Sequence, residues 1–249
     1  PSQNKAMVTF VTSDKEYRQL THLGKWLEKK IPEVVSIQQN INASSGNVIF
    51  GRETLRILGA PDLLDQVGDI RLRISPTSFF QVNNAQATKL VSLALEMAGD
   101  LGSAIFADGY CGVGTFLIPL AKRASRSIGI EEHPVALRDA QDNLTSYAIH
   151  DVHLYEGRVE SILPRLQRKG RSLDVVLLDP PRKGAGRSVL ESVAGLDAKR
   201  IILVSCDPAT LGRDAGDLAI LGYQPEIVQP VDMFPQTAHV ETIALLTKR

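Results

Sequence analysis

Along residues 1–75 the apolar positions fall in short, partly alternating runs. Residues 7–12, 34–41, 48–50, 54–58 and 70–74 each read as a strand, with Ser44, Ser45, Gly46 and Asn47 as a turn. Over 15–30, Tyr17, Leu20, Leu23, Trp26 and Leu27 recur at helical spacing, and Pro32 ends the pattern. From residue 84 the rhythm changes. Residues 85–98 predict a helix with Leu90, Leu93, Ala94 and Met97 on one face. Apolar runs follow at 104–107, 127–130, 152–155, 173–178, 200–204, 225–228 and 240–246, mostly separated by segments long enough for crossover helices. That succession predicts an α/β fold: a mainly parallel sheet with helices on both faces at 76–249, beside a smaller α+β unit at 1–75. Nothing clearly helical separates the last two runs, so the final strand is expected to enter antiparallel.

Composition narrows the class. The chain of 249 residues is 43% hydrophobic, with 28 basic against 28 acidic side chains, a globular balance that argues against disorder. Neither 1–75 nor 76–249 is basic, so a polyanion must be held by local patches, with affinity falling as salt rises. The apolar runs are far short of the roughly 20 residues of a membrane span, and no leader pattern opens the chain. A start at Pro1 suits a piece cut from something longer. The only cysteines, Cys111 and Cys206, are too few and too far apart for a disulfide scaffold or a two-pair zinc site, which points to a reducing, cytoplasmic setting.

In open parallel sheets ligands bind beyond the carboxyl ends of the strands. The segment 108–115, Asp-Gly-Tyr-Cys-Gly-Val-Gly-Thr, follows one such end, and its glycines allow a tight turn and close approach of a ligand. Leu117 stands where a dinucleotide loop needs its third glycine, which disfavours a nicotinamide dehydrogenase. Glu131 ends the next strand, where a carboxylate binds both hydroxyls of a ribose, so one nucleoside-like cofactor fits better. The same glycines also fit a plain turn. Asp179-Pro180-Pro181 stiffens another rim, with Arg182, Lys183 and Arg187 as a basic patch for phosphate or as a solvated loop. Cys206 lies between a buried strand and a helix opened by Asp207 as N-cap and Pro208, which admits a reactive thiol and a structural one equally. Glu241 opens an otherwise uncharged strand. His239 alone suits a hydrogen-bonded structural role, and no metal-ligand spacing is present.

Taken together, six segments in chain order resemble the RNA uracil-C5 methyltransferases, specifically the 23S ribosomal RNA (uracil-5-)-methyltransferase group. They are Ser-Pro-Thr-Ser-Phe-Phe-Gln-Val-Asn at 75–83, the glycine segment at 108–116, Gly-Ile-Glu at 129–131 and Leu-Asp-Pro-Pro-Arg-Lys-Gly at 178–184. Ser-Cys-Asp-Pro-Ala-Thr-Leu at 205–211 and Asp-Met-Phe-Pro-Gln-Thr-Ala-His-Val-Glu at 232–241 complete the set. The resemblance implies a class I methyltransferase sheet with S-adenosylmethionine as donor and 1–75 as a central domain for RNA docking or packing. By the same likeness Gln81, Tyr110, Gly112, Gly114, Thr115, Glu131 and Asp179 match cofactor positions, Cys206 the nucleophile and Glu241 the general base. Phe79 or Phe80 would stack on the reacting base, with Pro181 and Arg182 on the substrate side. The implied reaction is methylation of carbon 5 of a uridine, in ribosomal RNA first and transfer RNA second, by a monomer. Asp207 stands where the family usually has Asn, Thr115 where Asn is frequent, and Arg158 where a small polar cofactor contact is usual. Many relatives carry an N-terminal RNA-binding domain, and some an iron–sulfur cluster that two cysteines cannot ligate. The rivals are a methyltransferase of the same fold acting on a base nitrogen or a small molecule, and a catalytically silent RNA-binding module.

Overall fold

A computed structural model describes residues 3–46 and 48–249. The first unit is a βαβ crossover plus one strand. β1 (Ala6–Thr12) and β2 (Val34–Ile41) pair in parallel across α1 (Gln19–Lys30), and β3 (Glu53–Gly59) adds antiparallel to β2. Leu20 and Gly24 turn α1 onto the sheet, and a Cβ at Gly24 would come within 3.1 Å of Leu58 Cδ1, so the helix packs closely there. The strand expected at 48–50 is absent. Asn42 Nδ2 donates to the carbonyls of Val48 (2.7 Å) and Ile49 (3.1 Å), while Asn40 takes both backbone groups of Gly51. Side-chain amides thus occupy partners that a ladder would need. Of the expected turn at 44–47, Asn47 lies outside the described residues.

β4 (Leu63–Val67) and β5 (Ile70–Ile74) form an antiparallel hairpin. The sequence pattern groups it with the first unit, but Val67, Ile70 and Leu72 are buried in one core with α2 (Asn84–Ala98) and the large sheet. Asn83 caps α2, its Oδ1 accepting from the Gln86 amide.

The rest alternates as expected. β6 (Ile105–Asp108), α3 (Leu117–Ala121), β7 (Arg126–Glu131), α4 (Pro134–Ser146), β8 (Val152–Glu156), α5 (Val159–Arg168) and β9 (Val175–Leu178) come first. α6 (Arg187–Gly195), β10 (Arg200–Ser205), α7 (Pro208–Ile220), β11 (Tyr223–Val231) and β12 (Glu241–Lys248) follow. The sheet order is β11-β12-β10-β9-β6-β7-β8. β10, β9, β6, β7 and β8 run parallel, and β12 is inserted antiparallel to both β10 and β11, as the missing crossover helix implies. One face is packed by α2, α3 and α4, the other by α5, α6 and α7. Coverage on both sides explains the unbroken apolar strands, such as Val175–Leu178, buried throughout.

α4 fixes the approach to the cavity side of the sheet. Asp139, buried, accepts hydrogen bonds from Ser75 N (2.8 Å), Ser75 Oγ (2.7 Å) and Ser78 Oγ (2.6 Å). Asn143 accepts from Arg73 N (2.7 Å) and donates to the carbonyls of Arg73 and Val113.

Candidate active site

From β6 the chain proceeds outward to β7 and β8, then returns to place β9 on the other side of β6. The crevice at such a reversal is where open α/β sheets bind ligands. A cavity of about 480 Å³ lies there. Its wall takes Gly109, Tyr110 and Gly112 after β6, Glu131 and Glu132 at the end of β7, and Gly157 to Glu160 after β8. Asp179 to Lys183 follow β9, Cys206 follows β10, and His239 and Glu241 lead into β12. Phe79, Gln81 and Phe234 complete the lining.

The turn after β6 is set by Gly112, at φ +52°, and Gly114, at φ +99°, both in the region that favours glycine. This turn aims the Gly112 amide at Glu131 Oε2 (2.9 Å), while Glu131 Oε1 accepts from the His133 amide (2.7 Å). Glu131 is therefore fixed before any ligand arrives. Cys206 sits on an equally rigid junction. Asp207 Oδ1 accepts from the amides of Ala209 (2.8 Å) and Thr210 (3.4 Å), and Ser205 Oγ and Thr210 Oγ1 both donate to the Asp207 carbonyl (2.9 Å each). Glu241 is brought in from the neighbouring strand. Ser205 pairs with Thr242 at the end of the β10–β12 ladder, so Cys206, just beyond that pair, and Glu241, just before it, come side by side.

The rim after β9 is held from α7. Asp214, buried, accepts from the Ala185 amide (2.8 Å), and Arg213 Nη2 donates to the Lys183 carbonyl (2.7 Å). Among the described residues the side chains of Arg182 and Lys183 enter no ion pair.

Burial dominates the electrostatics. It pushes Asp179 up to about 7, with Glu241 adding repulsion, and pushes Glu241 itself up to about 7. Asp108, fully buried behind the glycine turn, is pushed up to about 8 by burial, and its Oδ2 has no hydrogen-bond partner among the described residues. The Cys206 thiol is raised by burial and by Glu241, while Arg182 pulls it down. Asp207, which adds a charge next to the thiol in sequence, spends its carboxylate on the α7 amides instead.

Most residues singled out in the sequence meet here: Phe79, Gln81, Tyr110, Gly112, Glu131, Asp179, Pro181, Arg182, Cys206 and Glu241 line one cavity. Gly114 and Thr115 lie outside its wall; Gly114 serves the turn, its carbonyl accepting from the Ile118 amide (3.0 Å). Phe80 packs against the core, whereas Phe79 is 73% exposed at the mouth. Glu132, Gly157, Val159, Glu160, Phe234 and His239 also line the cavity but carry no ligand signal of their own in the sequence. For the residues after β7 and β8 the usable signal was position, since each follows a strand end.

The model of the tRNA (uracil-5-)-methyltransferase family matches residues 62–249. The chain belongs to this family. An uncharacterized RNA methyltransferase of Geobacter sulfurreducens is 42% identical over 244 residues, covering 98% of this chain and 49% of its own. The chain thus spans about half the length of the curated relatives it matches. Among solved structures, the Pyrococcus abyssi tRNA (uracil-54, C5)-methyltransferase in complex with S-adenosyl-L-homocysteine superposes with a TM-score of 0.75 at 28% identity, over 98% of this chain and 56% of that one. The M. jannaschii tRNA m1G37 methyltransferase, at 12% identity and TM-score 0.63 over 98% of this chain and 74% of that one, shares the fold.

The residues present fit the donor that this family's fold serves. S-adenosylmethionine carries a sulfonium and an ammonium group, and the wall offers Glu131, Asp179 and Glu241, with Glu132 and Glu160 ion-paired to Arg158 beside them. Burial holds the carboxyl groups of Asp179, Glu241 and the adjoining Asp108 well above the usual carboxylate range, which a cationic ligand would offset, and Asp108 keeps one buried oxygen unpartnered among the described residues. Tyr110 and Val159 supply apolar surface for an adenine.

Proposed function

We propose that this protein methylates carbon 5 of a uridine in RNA with S-adenosylmethionine as donor, through a covalent bond between Cys206 and carbon 6. One observation carries the reading: a thiol and a carboxyl group far apart in sequence meet at the end of one antiparallel strand pair, in the cavity suited to the donor. Carbon 5 of uracil is a weak nucleophile. When the Cys206 thiolate adds to carbon 6, the ring double bond moves its electrons toward the carbonyl oxygen, giving an enolate whose carbon 5 is nucleophilic. The donor supplies an electrophilic methyl group at that carbon. Glu241 then takes the carbon 5 proton, the double bond re-forms, and the bond from carbon 6 to sulfur breaks with return of the thiolate. A base pushed up to about 7 suits this step, since it is substantially ionised at neutral pH yet holds a proton well.

Around this centre Glu131 holds the ribose of the donor, and Gln81, Tyr110, Gly112 and Asp179 border it. Phe79 stacks on the incoming base, which must leave its own stack to enter. Arg182 and Lys183, without an ion pair among the described residues and on a rim stiffened by Pro180 and Pro181, meet phosphate. The small unit at the start of the chain contributes further RNA docking. Ribosomal RNA is the proposed substrate, on the six-segment likeness. The match to the tRNA (uracil-5-)-methyltransferase family and the likeness to the Pyrococcus abyssi enzyme favour a second reading, transfer RNA.

The test is incubation with labelled donor and each RNA class in turn, followed by mapping of the modified nucleotide. Label on carbon 5 of a uridine is expected. Glu241→Gln should accumulate an RNA–protein adduct that wild type resolves, and Cys206→Ala should form none. Methyl transfer that survives Cys206→Ala overturns the covalent step.

A further inference from the structure

Beside the cavity lies a second hollow, also of about 480 Å³ but more open, lined by Val82, Asn83, Asn84, Met233, Phe234, Pro235 and Thr237. Two chain segments build both hollows: Phe79 and Gln81 face the first and Val82 to Asn84 the second, while Phe234 belongs to both walls.

Its lining differs in kind from that of the cavity. Among the described residues no charged side chain lines it, whereas the cavity wall carries five carboxyl groups and three cations, of which Arg182 and Lys183 enter no ion pair among the described residues. A phosphate would find no cation here. Val82, 73% exposed, together with Pro235 and Phe234, offers an apolar platform, bordered by the side chains of Asn83, Asn84 and Thr237. A neutral, planar group that binds by stacking matches this surface, as a nucleobase does.

The hollow is also set in advance. Asn83 Nδ2 donates to the Met233 carbonyl (3.2 Å) while its Oδ1 caps α2, and Asn84 Nδ2 is held by the Gln66 carbonyl (2.8 Å). Thr237 donates to the Phe234 carbonyl from both its amide (3.2 Å) and its hydroxyl (2.7 Å). Gln236, inside that turn, has φ +66°, a conformation uncommon for a side-chain-bearing residue.

We infer that this hollow binds the base immediately next to the target uridine in the RNA, stacked on the side of Phe234 away from the cavity. The inference rests on the proposed function. When the target base enters the cavity its chain neighbour is one backbone step away, and the hollow is one side chain away. Phe234 then acts as a wedge between two successive bases and helps to select which uridine is presented.

The test uses a stem–loop RNA with a single loop uridine flanked by cytidines, and two derivatives with an abasic ribose on its 5′ or 3′ side. Removing the base at one of the two positions should raise KM about ten-fold with little change in kcat, the size expected for one lost aromatic stack. Val82→Gln, on an exposed residue that lines only the second hollow, should raise KM for the parent RNA and bring its ratio to that abasic RNA close to one. A parent RNA that accepts methyl while both abasic forms match it overturns this inference alone, as does a Val82→Gln enzyme that still discriminates like wild type. A parent RNA that accepts no methyl removes the proposed function and this inference with it.

Discussion

At the scale of single residues, the state of the Cys206 sulfur decides whether addition to a ring can begin. Burial and the Glu241 carboxylate favour the thiol, and Arg182 favours the thiolate. In the protein alone the thiol therefore titrates above the usual value of about 8.5. Alkylation of Cys206 by iodoacetamide should accelerate with pH to a midpoint above that value. Arg182→Gln, removing the opposing cation, should move the midpoint higher, and Glu241→Gln should move it lower. Cys111, buried and raised well above the ordinary range by burial first, should stay unlabelled in the folded protein. Peptide mass mapping after labelling at each pH reads all four. An unchanged midpoint in both variants would remove the electrostatic account of the nucleophile. Asp207→Asn should leave the midpoint almost where it is, because an amide oxygen still caps α7 and the replaced charge faces that helix.

At the scale of elements, α4 acts as the clamp for the segment that carries Phe79 and Gln81. Asp139 accepts three hydrogen bonds from Ser75 and Ser78 while buried, and hydrogen bonds to a charged group contribute about 1.5–3 kcal/mol each in mutational series. Asp139→Ala strands those donors and should lower stability by about 2–4 kcal/mol, given partial relaxation of the segment. Urea unfolding checks this. The same variant should weaken RNA binding more than donor binding, because Phe79 is the first group to lose its place.

The elements also differ in how plainly they are written in the sequence. β6, β7, β9, β10 and β12 are covered on both faces, so their apolar runs are nearly continuous and their strand ends are marked by chemistry-bearing residues. β11 is an edge strand, mostly exposed and carrying Pro225 and Pro230, and only its middle looks like a strand. β4 has no such pattern at all: its buried Asp65 breaks the apolar face, so only the pairing with β5 reveals it. The segment 48–50 shows the converse, an apolar run turned into a loop by Asn40 and Asn42. Within the site, Cys206 and Glu241 were legible as residue types beside strand ends, but their meeting depends on the inserted antiparallel β12 and its register. Phe234 looks like any core aromatic until two hollows are seen on either side of it.

For the molecule as a whole, the cavity stores electrostatic cost that a cationic ligand relieves. Asp179 and Glu241 are pushed up to about 7 and Asp108 to about 8, against roughly 4 for free carboxyl groups. Between pH 4 and 7 the folded protein keeps these protons while the unfolded chain has lost them. The unfolded state therefore binds fewer protons, and stability falls as pH rises through that window. Below pH 4 both states are protonated and this contribution is fully present. A sulfonium compound in the cavity favours the ionised carboxylates, so its binding at pH 6–7 must release protons and tighten as pH rises. Titration calorimetry in two buffers of different ionisation enthalpy should show net proton release with S-adenosylmethionine. S-adenosylhomocysteine, which lacks the sulfonium charge, should release fewer. Asp179→Asn should shrink the difference between the two ligands, since an amide neither carries the charge nor gives up the proton. Equal proton release by the two would mean that the acidic wall answers to the shared ammonium group rather than to the sulfur, and that charge at the reacting centre is not what the buried carboxyls are arranged to meet.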